Sequence, residues 1–226
     1  MNCCHEHEHD NASCIHSVPI FGNLTHEEMM EIAHITSART YEKGEIVYMA
    51  GDRGGTLFVL HTGTVKIFRL TADGKEQVIR VVGPGEFIGE LSLLSSLPLT
   101  DHAQVIETSV MCVVEGSKLK ELMMKYTSIA FKVMEELSKR LETAESQIEA
   151  ISLSSVEQRV AQALLSMSKG KKEVILPMSK GDLASQLGMS QETLSRKLTN
   201  FADQGFIKLS GNRKIILLDI NALEEL

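Results

Sequence analysis

The sequence predicts an α+β chain: a small antiparallel β-barrel or jelly roll, then a long dimerisation helix, then a C-terminal winged helix-turn-helix. Three observations predict it. Between Arg39 and Val114 the chain runs as brief β-branched segments broken by glycines, which is the pattern of short strands in a rolled or closed sheet. From Met134 to Ile151 apolar residues recur in alternating steps of three and four, the narrow seam of a coiled coil. From Ser179 to Leu198 two short helical patterns flank Gly188, and two strand-like runs follow.

The 226 residues leave room for two modest domains, each with a core. No apolar run approaches membrane length and the N-terminus is polar from the start. The expectation is therefore a cytoplasmic protein with no signal peptide, no span and no membrane partner. Four cysteines in a reducing compartment imply thiols, ligands or a redox switch rather than a disulfide scaffold. The net charge of −7 is unevenly spread: from Leu153 onward ten Lys/Arg face eight Asp/Glu, while the first 152 residues hold thirteen against twenty-two. Nucleic-acid binding is thus confined to the C-terminal part, where the placement of cations decides it.

In chain order, residues 1–17 form a tail carrying Cys3, Cys4, His5, His7, His9, Cys14 and His16. Almost free of apolar content, it cannot offset its own ordering entropy. Imidazole and thiolate are zinc or copper ligands, and a tail can fold around an ion. The alternating His-Glu spacing matches no defined zinc motif, so a solvated tail is an equal reading.

Residues 18–116 form the predicted sensor domain. Thr25 and Glu28 make a capping box ahead of a helix with Met29, Ile32 and Ala33 on its apolar stripe. Strands are predicted at Ile46–Tyr48, Thr56–Leu60, Thr64–Phe68, Gln77–Val82 and Val110–Val114, with Gly44, Gly51, Gly63, Gly74, Gly83, Gly85 and Gly89 at the corners. Residues 117–152 are helical. Met134, Leu137, Leu141, Ala144, Ile148 and Ile151 form the seam, bordered by Glu135, Glu136, Lys139, Arg140, Glu142 and Glu145. A helix lying on a β domain would want a wider stripe, so the narrow one predicts a homodimer.

Residues 153–226 form the predicted DNA-binding domain. Ser155 opens an amphipathic helix through Met167. In the helix-turn-helix, Leu183, Ala184 and Leu187 make one apolar edge, and Leu194, Leu198 and Phe201 the other. Ser190 is the natural N-cap of the second helix, which presents Gln191, Glu192, Ser195 and Arg196 outward. Arginine can bond two guanine acceptors, glutamate accepts from the cytosine amino group, and serine is permissive, so these residues suit base edges. Lys180, Thr193, Lys197, Arg213 and Lys214 are the candidate phosphate contacts. Phe206–Leu209 and Lys214–Leu218 bracket Ser210-Gly211-Asn212-Arg213, a hairpin placed as a wing. The expected partner is double-stranded DNA.

This order of modules resembles the Crp/Fnr family of bacterial transcription regulators. The resemblance is carried by Gly85-Glu86-Phe87-Ile88-Gly89-Glu90-Leu91 and by Glu192-Thr193-Leu194-Ser195-Arg196, and it runs from about Val18 to the C-terminus. The second segment is similar to the FNR branch, whose E-x-x-S-R reads TTGAT-type half-sites. The cAMP-receptor branch has glycine at the position of Ser195. The resemblance implies a cyclic-nucleotide-binding-type β-roll, a two-fold dimer on a palindrome with half-site centres ~34 Å apart, and contact with RNA polymerase.

Family members that bind cAMP follow G-E-L with an Arg-Ser pair for the phosphate. Here Gly89-Glu90-Leu91 is kept, but the matching pair falls at Asp101-His102, where an aspartate repels phosphate, so cAMP is not the expected ligand. Cys112 lies in a stretch similar to that bearing the internal cluster cysteine of FNR. The even spacing of FNR's N-terminal cysteines is absent, because Cys3 and Cys4 are adjacent and Cys14 stands apart. Cys14 and Cys112, with Ser17-Val18-Pro19-Ile20-Phe21, look more like the FNR-like proteins (FLP) of Gram-positive bacteria, for which an intramolecular dithiol/disulfide switch is proposed. A bridge across that gap could stabilise the oxidised form by ~4–5 kcal/mol in the chain-entropy model. The expected sensor is thus a cofactor-free thiol switch. An iron-sulfur cluster, zinc or another metal on the tail, or a small molecule in the β-roll, are the alternatives.

No catalytic residues are expected. The chain has no Gly-rich phosphate loop, H-E-x-x-H or nucleophile elbow, and Asp101-His102 with Ser95 or Ser96 has no supporting triad pattern. A metal-buffering protein using the tail is the remaining rival class.

Overall fold

The computed structural model describes residue 21, residues 25–95 and residues 97–226. The tail with Cys3, Cys4, His5, His7, His9, Cys14 and His16 lies outside the described residues, as does the side chain of Ile151. Two compact units are present: one runs to Lys75 and resumes as Ile79–Leu141, and the other comprises Glu76–Val78 with Glu142–Leu226.

The first unit opens with α1 (His26–His34). The Thr25–Glu28 capping box forms as expected: Thr25 N–H donates to Glu28 Oε2 at 2.7 Å, and Glu28 N–H to Thr25 Oγ1 at 3.3 Å. Strands β1 (Thr36–Tyr41), β2 (Ile46–Tyr48), β3 (Thr56–Leu70), β4 (Glu76–Val82), β5 (Phe87–Ile88) and β6 (His102–Glu115) make one antiparallel six-stranded sheet in the order β1-β6-β3-β4. β1 pairs with β6 from Thr36↔Val114 to Tyr41↔Ser109, and β2 pairs near the other end of β6, at Gln104 and Ala103. β5 pairs with Phe58 and Val59 of β3. A short helix α2 (Glu90–Ser95) follows β5.

The two strands expected at Thr56–Leu60 and Thr64–Phe68 are one strand of fifteen residues. Gly63 is not a corner. It sits inside β3 at φ +90°, where the register to β6 shifts, so it makes a bulge that bends the strand without ending it. A Cβ there would come within 2.2 Å of Ser109 Oγ and 2.5 Å of the Thr108 carbonyl. Ser109 is fully buried in that gap and accepts a hydrogen bond from Thr64 N–H at 3.1 Å.

The β3–β6 ladder has an apolar cluster on each face. Leu57 and Val59 of β3 and Cys112 and Val114 of β6 join Phe21, Ile32, Phe87, Leu119, Leu122 and Ile129. Leu60, Val65 and Ile67 of β3 and Ala103, Val105 and Met111 of β6 join Tyr41, Tyr48, Val82, Ile88 and Leu99. Residues α3 (Gly116–Lys125) and α4 (Thr127–Leu153) follow, broken at Tyr126.

Arg140 on α4, expected as a bordering residue of the seam, turns inward. Its guanidinium lies 3.7 Å from the centroid of the Phe87 ring and donates to the Phe87 carbonyl at 2.7 Å. It also pairs with Glu90 Oε1 at 2.6 Å, which Arg80 of β4 meets from another side at 2.9 Å. Beside this cluster Tyr48 O–H donates to Asp101 at 3.1 Å. Burial pushes the Asp101 carboxyl above the usual carboxylate range, against the lowering influence of the Tyr48 hydrogen bond and of Arg69 and Arg80.

In the second unit, Ser155 caps α5 (Val156–Ser168), its hydroxyl accepting from Gln158 N–H at 3.2 Å. Lys169 at φ 48° and Gly170 at φ 78° end that helix. The helix-turn-helix is α6 (Lys180–Gln186) and α7 (Gln191–Asp203). The hairpin β8 (Ile207–Ser210) and β9 (Lys214–Leu217) carries a third strand that the sequence reading missed, β7 (Glu173–Ile175), which pairs with β9. A last turn of helix, α8 (Ile220–Glu224), buries Leu223.

Two measurements check these features. Gly63→Ala should lose more than the ~1–2 kcal/mol that a left-handed backbone costs an L-residue, because the Ser109 clash adds to it; urea unfolding reads this directly. Because the folded Asp101 carboxyl titrates above its unfolded value, its charge lowers stability increasingly as pH rises through that window. Asp101→Asn should therefore gain melting temperature over the parent as pH rises from the usual carboxylate range to neutrality, and a constant difference would refute this.

Candidate functional site

The outer face of α7 is built from its inner one. Leu194, Leu198 and Phe201 are buried against Leu183 and Ala184 of α6 and the apolar side of α5, which includes Val160, Ala161 and Leu164. Helical periodicity then leaves Gln191, Glu192, Ser195 and Arg196 exposed. Ser190 is the N-cap, its hydroxyl accepting from Thr193 N–H at 3.1 Å and lying 2.9 Å from Thr193 Oγ1. The turn closes through Gly188 at φ +68°, with Met189 N–H donating to the Ala184 carbonyl at 2.9 Å. Gln191 folds back over α6: a Cβ on Gly181 would stand 3.1 Å from Gln191 Oε1, so Gly181 leaves room for that side chain.

The candidate phosphate contacts separate into two groups. Arg213 is exposed on the hairpin and Lys180 is half-buried at the start of α6. Lys197 is already ion-paired with Glu157 of α5, and Lys214 pairs across the wing with Glu173 at 2.7 Å. Thr193 has its hydroxyl in the cap. A recess of about 480 Å³, lined by Arg196, Lys197, Thr199, Asn200 and Asp203, runs beside α7. Thr199 and Asn200 were not singled out in the sequence, since their placement depends on the packing of α7.

Arg159 was also missed. From α5 it donates Nη1 to the Leu187 carbonyl at 2.8 Å, holding the end of α6 just before the turn. An arginine within an otherwise apolar helix pattern was the available signal.

Along α4, the residues of the expected seam leave an apolar edge without a partner among the described residues. Met134 is 50% exposed, Leu141 61% and Ile148 66%; Leu137 is half-buried and Ala144 exposed. Phe131, 68% exposed and three residues before Met134, extends the same edge toward the helix start.

Cys112 is 5% exposed, on β6 between Ala38 of β1 and Val59 of β3. The structure therefore places it in the apolar cluster of the first unit, and Phe21 belongs to the same cluster. Its intended partner Cys14 lies outside the described residues. Among the described residues no group of three or more His, Cys, Asp or Glu is arranged to hold a metal ion, and no helix is long and apolar enough to cross a membrane. At Asp101-His102, the Asp101 carboxylate accepts from Tyr48 O–H at 3.1 Å, and the His102 ring stacks on Phe68 at 5.1 Å.

Comparison with known proteins accords with this geometry. The Cyclic nucleotide-binding domain family matches residues 38–126, and the Crp-like helix-turn-helix domain family matches residues 158–226. The chain is 30% identical over 207 residues to the "Probable transcriptional regulator flp" of Lacticaseibacillus casei, covering 91% of this chain and 94% of that one. It is 28% identical to the Cyclic AMP receptor protein of Thermus thermophilus, over 92% of this chain and 96% of that one. The solved structure of FixK2 from Bradyrhizobium japonicum superposes with a TM-score of 0.76 at 28% identity, over 85% of this chain and 97% of that one. With a nucleotide-binding-type sheet domain, a long helix and a winged helix-turn-helix in that order, the chain belongs to the Crp/Fnr family of DNA-binding transcription regulators.

Proposed function

We propose that two copies of the chain pair along α4 and read an FNR-type palindrome. Glu192, Ser195 and Arg196 would carry base readout, with Gln191 as an additional reader, and Arg213 and Lys180 would lead the phosphate contacts. One observation carries the reading: these polar side chains share the exposed face of a helix whose opposite face is fully buried. Pairing along α4 is supported by the apolar edge from Phe131 to Ile148, whose exposure in one chain is costly in water. RNA polymerase is the expected protein partner on promoter DNA.

The proposed signal is redox state, read through Cys14 and Cys112. Phe21 is buried in the cluster that contains Cys112, and only six residues lie between Cys14 and Phe21. Such a segment spans at most about 25 Å, which keeps Cys14 within reach of that end of the domain. Because Cys112 is buried, its oxidation requires local opening of the cluster, and closing the bridge would then hold α1 and α4 in a changed relation to β6.

Gel shifts on palindromic FNR-type sites test the DNA half. Arg196→Ala should weaken binding by ~1–3 kcal/mol and relax discrimination at one base pair, whereas Arg213→Ala should weaken all sequences alike and flatten the salt dependence. Leu141→Glu with Ile148→Glu should yield a monomer by sedimentation and lose operator binding. Cys14→Ser and Cys112→Ser should each remove the difference between oxidised and reduced protein; a difference that survives both changes would rule out the switch.

A further inference from the structure

The second unit contains a cavity of about 420 Å³ that none of the DNA-binding or sensing roles above uses. All of its lining residues lie within Glu142–Leu226. Its walls are mostly apolar: Ala163, Met167, Pro177, Met178, Leu183 and Leu187. Among the described residues one cation lines it, Arg159. Arg159 Nε is buried and has no hydrogen-bond partner, and among the described residues no carboxylate pairs with the guanidinium. A guanidinium that lines a largely apolar pocket with no carboxylate beside it favours an anionic partner, and its planar donor group is shaped for a carboxylate. The volume lies within the range of small-molecule pockets, roughly 300–1,000 Å³.

We propose that this cavity binds a small amphiphilic monocarboxylate, its carboxylate on Arg159 and its apolar tail along Ala163, Met167 and Leu183. The same guanidinium donates Nη1 to the Leu187 carbonyl at 2.8 Å, directly before the Gly188 turn that sets the angle of α7. A carboxylate sharing Arg159 therefore changes the hold on that turn. By linkage, whatever factor the ligand applies to DNA affinity, DNA applies to ligand affinity.

The probe is decanoate, kept below micelle formation, titrated into the purified full chain by calorimetry. The expected result is saturable binding, one decanoate per chain, with the uncharged decanol bound at least tenfold more weakly. Ser166 is exposed and lines the cavity, so Ser166→Phe should fill the space without touching the core and abolish binding. Arg159→Lys should keep the charge, lose the fork and weaken decanoate while leaving decanol unchanged. In gel shifts decanoate should change operator affinity fivefold or more, and Ser166→Phe should be insensitive to it. Absence of saturable binding overturns the proposal, as does equal binding of decanol or undiminished binding by Ser166→Phe. Saturable binding with unchanged operator affinity overturns the coupling to the turn. The calorimetric arm contains no DNA, so its outcome is separate from that of the proposed operator reading.

Discussion

The antiparallel pairing of β3 with β6 is the constraint on which the first unit depends. Fifteen residues face fourteen: Leu57 and Val59 pair with Val114 and Cys112 in one apolar cluster, Leu60 pairs with Met111 in the other, and beyond the register shift at Gly63 Val65 pairs with Val105 in that second cluster. A slip of one residue would exchange the two faces, exposing Cys112 to the cluster around Tyr48 and moving Met111 among Ile32, Leu119 and Ile129. The Gly63 bulge, plugged by Ser109, shifts the register of β3 against β6, so that Val65 joins the cluster of Leu60 and not that of Leu57 and Val59. β5 hangs on the same ladder through Phe58 and Val59, which sets where Glu90 begins α2.

Glu90 then ties the sheet to the long helix. Arg80 arrives from β4 and Arg140 from α4, and both meet the same carboxylate oxygen, with Arg140 also stacked on Phe87. Partly buried ion clusters of this kind add little net stability over an apolar equivalent, but they fix geometry, since each charge is costly if its partner moves away. α4 is therefore anchored on its inner side by charge and bare on its outer side, where Phe131, Met134, Leu141 and Ile148 stand exposed. A helix held in that way keeps one consistent apolar edge, the edge proposed above to pair with a second copy.

In the second unit the corresponding constraint is the packing of α7 on α6 and α5. Burying Leu194, Leu198 and Phe201 fixes the rotation of the helix and so decides which polar residues face outward. The ion pair of Lys197 with Glu157 shows the same packing withdrawing one cation from the surface, while the three-stranded wing holds Lys214 against Glu173. The positive surface beside α7 thus rests on fewer cations than the composition of the region supplies. This accords with a domain whose DNA affinity comes from placement more than from net charge.

Much of this was legible in the chain. Local signals were sufficient wherever a structure is made by neighbours: the Thr25–Glu28 capping box, the helix start at Ser155, the Ser190 cap, the Gly188 turn, and the period that turns Glu192, Ser195 and Arg196 away from Leu194 and Leu198. The family-bearing segments are local too, which is why module order and DNA binding could be read without coordinates. What the sequence left open depends on groups far apart along it. Gly63 reads as a corner until Ser109, across the ladder, fills the space beside it. Arg140 reads as a rim residue until Phe87 and Glu90 are brought beneath it, and Glu173–Ile175 is too short to declare itself a strand until β9 pairs with it. Periodicity fixes which way a side chain points relative to its own helix or strand. Only tertiary packing decides what it meets there, because the partner is chosen by burial and by the pairing of charges that no local pattern encodes.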